Sequence, residues 1–220
     1  MLLLFYSLYT TNESNRTKNM KEKINLINSN TDPIILFEKW FDEAKQNEVN
    51  DPNAMNLATT SKNLKPNSRI VLLKSFDEKG FVFYTNSKSK KGNSIVSNPH
   101  VALNFYWKSL FRQIRIEGMA KQVSENEADT YFNSRPKESK IGAWASKQSS
   151  NLKNRKELEN KFAEYSQKYK NKIIPRPTYW TGFRVKPSLI EFWQDMPFRL
   201  HDRVEYKKSG KNWLTKRLYP

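Results

Sequence analysis

Apolar residues first recur at helical spacing at Ile35, Leu36, Trp40, Phe41 and Ala44, just behind Asp32-Pro33. Aspartate is a good N-cap and proline a good first helical residue, so this pattern predicts one amphipathic helix running to about Glu48. The period then shortens. Met55–Thr60 is short and apolar-leaning, Arg69–Phe76 contains the run Ile70-Val71-Leu72-Leu73, Asp77-Glu78-Lys79-Gly80 reads as a turn, and Phe81–Thr85 as the returning strand. Val101–Trp107 and Arg112–Met119 form a second expected antiparallel pair. Ser124-Glu125-Asn126-Glu127 is a capping box that opens a helix to about Phe132. Asn151–Tyr169 reads as a long charged helix with Leu152, Leu158, Phe162 and Tyr165 on its inner side. Strands follow at Trp180–Val185, Leu189–Trp193 and Arg199–Tyr206, with a short last one near Trp213–Leu218. The pattern predicts a mainly β chain with helices (α+β), in which about six to eight largely antiparallel strands close into a barrel.

Residues 1–30 break this texture. Met1–Tyr9 is apolar but brief and has no basic start, while Thr10–Asn30 is polar and Asn-rich. A secretory signal needs a charged start, a longer apolar core and a small-residue cleavage site. The expectation is therefore a flexible arm over 1–30, with Met20 an equally good beginning, one domain over 31–220, and a cytoplasmic location. At 37% hydrophobic and 13% aromatic the chain is too apolar for a disordered basic tail. The absence of cysteine excludes disulfides, Cys-ligated zinc, iron–sulfur clusters and thiol nucleophiles, and two histidines argue against a multi-His metal site. A net charge of +17 raises nucleic acid, anionic membrane or phosphorylated ligands as partners, although scattered lysine and asparagine make most of it solvated surface. No apolar run approaches the roughly 20 residues that span a bilayer.

Five segments bear chemistry. Arg69–Lys74 is a strand bracketed by two cations, which alone is equally well an ordinary core strand. Tyr84-Thr85-Asn86-Ser87-Lys88-Ser89-Lys90-Lys91-Gly92 ends a strand in polar donors and sets lysines at an expected helix start, where backbone amides favour phosphate. Tyr131, Arg135 and Ser139, at four-residue steps, would converge on one anion if the helix turns continue; the plainer reading is a capped helix end. Ile141–Ser150 reads as a loop whose small residues, aromatic and polar groups suit a planar ring and a phosphate. Finally, Arg199, His201 and Arg203 would share one face of a strand, at a cost in repulsion unless an anion or an acid compensates. No glycine spacing of the dinucleotide or nucleoside-triphosphate kind occurs.

The succession Arg69–Lys74, Gly80–Asn86, Asn98-Pro99, Arg112-Gln113, Tyr131–Pro136, Ile141–Ser149, Trp180–Val185, Ile190–Gln194, Arg199–Arg203 and Arg217–Pro220 resembles the pyridoxine/pyridoxamine 5′-phosphate oxidase family over about residues 32 to 220. The resemblance implies a homodimer of FMN-binding split β-barrels with each flavin at the subunit interface. It implies that Arg69 and Lys91 hold the FMN phosphate, assisted by Lys90, Ser149, Tyr84, Thr85 and the strand Ile70-Val71-Leu72-Leu73-Lys74. Gln113, Gln148, Trp193 and Arg203 would contact or orient the flavin. Lys74, Tyr131, Arg135 and Ser139 would bind the substrate phosphate, with Arg199, Leu200 and His201 over the pyridine ring and Arg199 and His201 the catalytic pair. Family members often carry arginine where Lys90 stands, and lysine lacks the bidentate fork. The implied reaction oxidises pyridoxamine or pyridoxine 5′-phosphate to pyridoxal 5′-phosphate by hydride transfer to FMN, with O2 as the final acceptor and H2O2 as a product.

Three other readings remain at this level, the weakest a purely structural dimer or pyridoxal-phosphate carrier. A related split-barrel flavoprotein would share the flavin residues but need not keep Tyr131, Arg135, Ser139, Arg199 and His201 together. A nucleic-acid-binding module would be colourless and strongly salt-dependent in its affinity.

Overall fold

The computed structural model describes residues 26–220, so most of the expected arm lies outside the described residues. The expected single domain is distributed over two compact units. The larger comprises Asn50–Phe105 and Ile116–Ser188; the smaller comprises Met1–Val49, of which 26–49 are described, with Tyr106–Arg115 and Leu189–Pro220.

In the larger unit, β1 (Ala54–Thr60) pairs antiparallel with β2 (Pro66–Leu72) from Ala54↔Leu72 to Thr60↔Pro66. The short β3 (Ser75–Asp77) turns through Gly80 into β4 (Gly80–Asn86), and α2 (Lys90–Ser97) follows at once. β5 (His100–Trp107) and β6 (Arg112–Gln122) come next; their tips belong to the smaller unit. Three helices, α3 (Glu125–Ser134), α4 (Lys137–Ala145) and α5 (Arg155–Lys168), precede β7 (Trp180–Gln194). The strand order is β2-β1-β5-β6-β7-β4-β3, and β4 and β7 pair antiparallel with Tyr84 opposite Gly182 and Asn86 opposite Trp180. Phe81, Val82 and Phe83 of β4, which lies between β7 and the short edge strand β3, are fully buried, as their continuous apolar run requires.

The smaller unit opens with α1 (Pro33–Asn47), whose Asp32 cap accepts from the amides of Ile34 and Ile35. Its buried face is Leu36, Phe37, Trp40, Phe41 and Ala44, so Phe37 replaces the expected Ile35, which is exposed. Phe41 stacks on Phe37 (ring centroids 5.7 Å apart) and on Trp107 (6.1 Å), while Trp40 and Tyr206 each meet Phe192 edge-on. The end of β7, β8 (Asp202–Ser209) and β9 (Asn212–Arg217) form antiparallel pairs here.

Four expectations are corrected. Arg69–Phe76 is not one buried strand: β2 ends at Leu72, and the Leu73 amide bonds to Asn53 while the Lys74 amide bonds to Val82, so the chain leaves β1 for β4. Trp180–Val185 and Leu189–Trp193 are one strand, because Pro187 removes a donor without ending the pairing. Helix α5 begins at Arg155, leaves Leu152 outside, and buries none of its residues. Ile141–Ala145, expected as loop, is the last part of α4.

Residues 26–30, the end of the expected arm, are tied to β8. The buried Asp202 carboxylate accepts from the Ile27 amide (2.8 Å) and from Arg217, Arg217 donates to the Ile27 carbonyl (3.0 Å), and the Tyr206 hydroxyl donates to the Asn28 carbonyl (3.2 Å). A hydrogen bond to a charged group contributes roughly 1.5–3 kcal/mol. Asp202→Ala should therefore cost about 2 kcal/mol in urea unfolding and accelerate hydrogen exchange at the Ile27 amide; unchanged exchange there would show that Asp202 does not hold this segment.

Candidate active site

The larger unit carries two groups of buried or half-buried cations. Arg69, inside β2 rather than at its end, donates to the Leu57 carbonyl (3.1 Å), Thr59 Oγ1 (2.8 Å) and Asn67 Oδ1 (2.6 Å). Lys91 lies in the first turn of α2 and is only 8% exposed. Its ammonium donates to Gln148 Oε1 (2.9 Å), Thr85 Oγ1 (3.1 Å) and Ser89 Oγ (3.3 Å). Ser89 also caps α2, and Gly92 lets that turn approach Ser87 so closely that a Cβ would sit 2.2 Å from its carbonyl oxygen. Burial, and then the nearby Arg69 charge, lowers the Lys91 pKa to about 8; burial also lowers that of Arg69. Both cations donate to neutral oxygens.

Thr85 and Gln148 also border a pocket of about 620 Å3. Its aromatic wall is Tyr84, stacked on Tyr131 (4.0 Å) and on Trp180 (5.2 Å). Gly182 makes the room: a Cβ there would fall 2.7 Å from the Tyr84 ring. Burial, with the Glu127 charge next, pushes the Tyr84 hydroxyl up to about 12, so it stays protonated. Arg135 caps the C-terminus of α3 and lays its guanidinium 4.8 Å from the Trp180 ring. Its Nη1 is buried without a hydrogen-bond partner, and burial lowers its pKa. Lys74, Leu72 and Ser139 line the same pocket, the first and last exposed.

Tyr131, Arg135 and Ser139 converge although the helix does not continue: α3 stops at Ser134 and α4 restarts at Lys137. What holds α3 in place is Arg176, which donates to Asp129 (2.6 Å), to Glu125 and to the Trp180 carbonyl (2.7 Å). No spacing in the sequence points to this clamp. Ile70, Val71 and Leu73 do not line the pocket; Ile70 is exposed and Leu73 buried. Lys90 is exposed at the start of α2, and Ser149 is exposed with a left-handed backbone (φ 70°).

The smaller unit holds the remaining candidates. Arg199, His201 and Arg203 do not share a strand face, because β8 starts at Asp202 and a 3-10 turn, Pro197–Arg199, precedes it. Phe198 and Arg199 are both left-handed (φ 59° and 62°), which excludes extended strand and costs about 1–3 kcal/mol each. His201 Nδ1 lies 2.9 Å from Asp195 Oδ1, and its ring centroid is 4.6 Å from that of Trp193. Arg203 makes a two-pronged pair with buried Glu191 (2.9 and 2.8 Å) and donates to the Tyr219 carbonyl (2.9 Å); Arg115 shares Glu191 (3.0 Å). An acid thus faces two of these three side chains, Asp195 at His201 and Glu191 at Arg203. Gln113 is half-buried on β6, and Arg199 and Leu200 are exposed.

The family model of pyridoxamine 5′-phosphate oxidase matches residues 41–169, and that of the pyridoxine 5′-phosphate oxidase C-terminal dimerisation region matches residues 180–220. The chain belongs to the pyridoxamine 5′-phosphate oxidase family. A relative from Granulibacter bethesdensis named pyridoxine/pyridoxamine 5′-phosphate oxidase is 53% identical over 194 residues, 86% of this chain and 91% of its own. One of the same name from Gluconobacter oxydans is 52% identical over 197 residues, 90% and 98% of the two chains. Among solved structures, PhzG from Burkholderia lata, in complex with tetrahydrophenazine-1-carboxylic acid, is 32% identical with TM-score 0.82, covering 86% of this chain and 93% of its own. A pyridoxamine 5′-phosphate oxidase-related, FMN binding protein from Nostoc punctiforme shares the fold at 15% identity and TM-score 0.69, over 86% and 99%. The split-barrel class expected from the resemblance is borne out. The region of this oxidase-family chain that matches the dimerisation model contains Trp193, Arg199, His201 and Arg203. No helix among the described residues is long and apolar enough to cross a membrane, and no group of three metal-ligating side chains occurs among them.

The lowered Lys91 pKa gives a pH test. Ligand-free, the cluster carries the Lys91 charge below about pH 8 and loses it above. Sulfate, whose own charge is constant over this range, should therefore bind roughly tenfold more weakly at pH 9.5 than at pH 6.5 by thermal shift, with each lost charge-assisted bond contributing roughly 1.5–3 kcal/mol. Lys91→Met should remove that pH dependence; a pH-independent wild type would show that Lys91 does not face the anion.

Proposed function

We propose that this chain is an FMN-dependent oxidase that converts pyridoxamine 5′-phosphate or pyridoxine 5′-phosphate to pyridoxal 5′-phosphate. The observation that carries this reading is two cationic groups whose hydrogen-bond and ring partners include no carboxylate: Arg135 lines the pocket over Trp180, and Lys91, with Arg69 near it, lies behind the pocket residues Thr85 and Gln148. A buried cation bonded only to neutral oxygens retains most of its desolvation penalty, and a phosphate offsets it. Cofactor and substrate each bring one phosphate, so two separate handles suit this pair of ligands. The orphaned Nη1 of Arg135 fits a phosphate oxygen in particular.

In this reading Arg69 and Lys91 hold the FMN phosphate, with Lys90, Ser149 and Thr85 beside them. Lys74, Tyr131, Arg135 and Ser139 hold the substrate phosphate, and Gln113, Gln148, Trp193 and Arg203 orient the flavin. When bound, FMN supplies the two-electron acceptor for a hydride from the substrate's exocyclic carbon and passes the electrons to O2, giving H2O2. The chain's own contribution is position: two fixed phosphates hold two rings in register and make the encounter effectively unimolecular. Arg199, Leu200 and His201 position the pyridine ring. The active form is a homodimer with each flavin at the subunit interface, located in the cytoplasm. A PhzG-like activity on another substrate would leave Arg135 without its phosphate, which is why the phosphate ester is preferred.

Purified protein should be yellow and consume O2 with pyridoxamine 5′-phosphate, releasing H2O2 in equal amount; colourless protein that binds polynucleotide instead would overturn the reading. Arg135→Ala should raise the substrate KM about ten- to a hundredfold with flavin content unchanged, since the lost bond contributes roughly 1.5–3 kcal/mol. In contrast, Arg69→Ala should be isolated largely without flavin, and a fully loaded variant would remove Arg69 from the cofactor site. Arg199→Ala and His201→Ala should each lower kcat while keeping flavin, as checked by steady-state oxygen uptake and the visible spectrum; full activity in both would take them out of the site.

A further inference from the structure

We propose that Asp195 is a positioning residue for His201: it accepts the Nδ1 hydrogen and so fixes the tautomer whose bare Nε2 takes the proton from the substrate's reacting hydroxyl or amine group. The inference rests on the function proposed above and deepens it, by assigning the proton acceptor of the reaction.

The geometry is local to the smaller unit. His201 Nδ1 and Asp195 Oδ1 are 2.9 Å apart, with the two side chains 18% and 15% exposed. The Met196 amide also points at Nδ1, at 3.3 Å. One ring nitrogen cannot donate to the carboxylate and accept from the amide together. Two bare acceptors 2.9 Å apart would repel, so the hydrogen belongs on Nδ1 and the longer amide contact is secondary. The carboxylate itself sits on an anchored backbone: the Asp195 amide donates to the Phe111 carbonyl (2.9 Å), and Gln194 accepts from Arg112 Nε (2.8 Å). The Trp193 ring also lies against the imidazole, with ring centroids 4.6 Å apart. Between acid and base the chain folds back through the left-handed Phe198 and Arg199, so backbone strain is maintained where it brings His201 onto Asp195.

The chemistry balances. As the alcohol carbon is oxidised, its C–H bond breaks and the hydride carries two electrons to the flavin, the O–H proton passes to Nε2, and the C=O bond forms. With the amine, the proton taken is that of the ammonium form, leaving the neutral amine; its carbon then gives up hydride as the C=N bond of an iminium ion forms, and water hydrolyses that to the aldehyde with release of ammonium. His201 returns its proton to water. A carboxylate behind the imidazole stabilises the imidazolium that forms in either case.

The chain has only two histidines, and His100 is exposed, so a nitrogen–proton correlation spectrum of the 15N-labelled holoprotein separates them without extensive assignment. Wild-type His201 should show a protonated Nδ1 and a bare Nε2, and Asp195→Asn should abolish that preference. Kinetically, Asp195→Asn should lower kcat with pyridoxine 5′-phosphate roughly ten- to hundredfold at unchanged flavin content and little change in KM, a part of the roughly 10²–10⁴ an aligned base supplies. Asp195→Asn combined with His201→Gln should be no slower than His201→Gln alone, because the acid acts only through the base. Normal turnover by a wild type whose His201 carries its hydrogen on Nε2, or full additivity of the two substitutions, overturns this inference alone. Failure of the wild type to oxidise either substrate overturns the functional reading and this inference with it.

Discussion

A cation removed from water needs an anion, and the distribution of anions around the buried cations organises this molecule. Among the buried and half-buried arginines, Arg112 meets Glu43, Arg176 meets Glu125 and Asp129, Arg184 meets Asp77 and Glu127, and Arg203 meets Glu191. Arg69, Lys91 and Arg135 meet neutral oxygens and aromatic rings instead. Burial lowers the pKa of all three, the mark of charge held at a cost. A protein selected for stability alone would place a carboxylate beside them. Their bareness fits a site that completes itself with phosphates, and it accounts for basicity at these positions better than the overall +17 does.

The sheet delivers these groups through simple pairings. β4 against β7 sets Tyr84 opposite Gly182, and the missing side chain there lets the tyrosine lie flat between Tyr131 and Trp180. The Ser89 cap and the tight Gly92 turn direct Lys91 inward from α2 towards Thr85 at the end of β4. Arg176 links α3 to the Trp180 carbonyl, so the helix carrying Tyr131 and ending at Arg135 is fixed relative to the ring under the guanidinium. Rigid strands and paired arginines surround the unpaired ones, which is how a pocket can keep charge exposed to a ligand without collapsing onto it.

Helices and strands with a clear period were legible in the sequence: the Asp32-Pro33 start of α1, the turn before β4 and the Ser124 cap of α3 all form where the pattern placed them. Errors arose where local pattern and tertiary demand diverge. Alternation suggested a strand through Arg199 and His201, but consecutive left-handed residues there are set by the return of the chain to Asp195, which no period encodes. Apolar spacing suggested an inner face on α5, of which Tyr165 does pack against a buried cluster while Leu152 and Phe162 stay exposed, and the many Lys and Glu residues keep the rest of the helix solvated. Four-residue steps singled out Tyr131, Arg135 and Ser139, and the family resemblance joined Lys74 to them; the steps assumed a continuous helix, whereas the residues converge across a break at Pro136. Asp195 was invisible because a non-periodic turn brings it onto His201, and Arg176 because its acidic partners lie 47 and 51 residues away in sequence.

The central claim is that one chain offers two distinct phosphate sites. Phosphorus NMR of the purified protein with FMN and pyridoxal 5′-phosphate reads them separately. Two shifted resonances are expected, one per ligand, with Arg69→Ala erasing only the flavin signal and Arg135→Ala only the other. A single bound resonance, or both signals surviving both substitutions, would contradict the account.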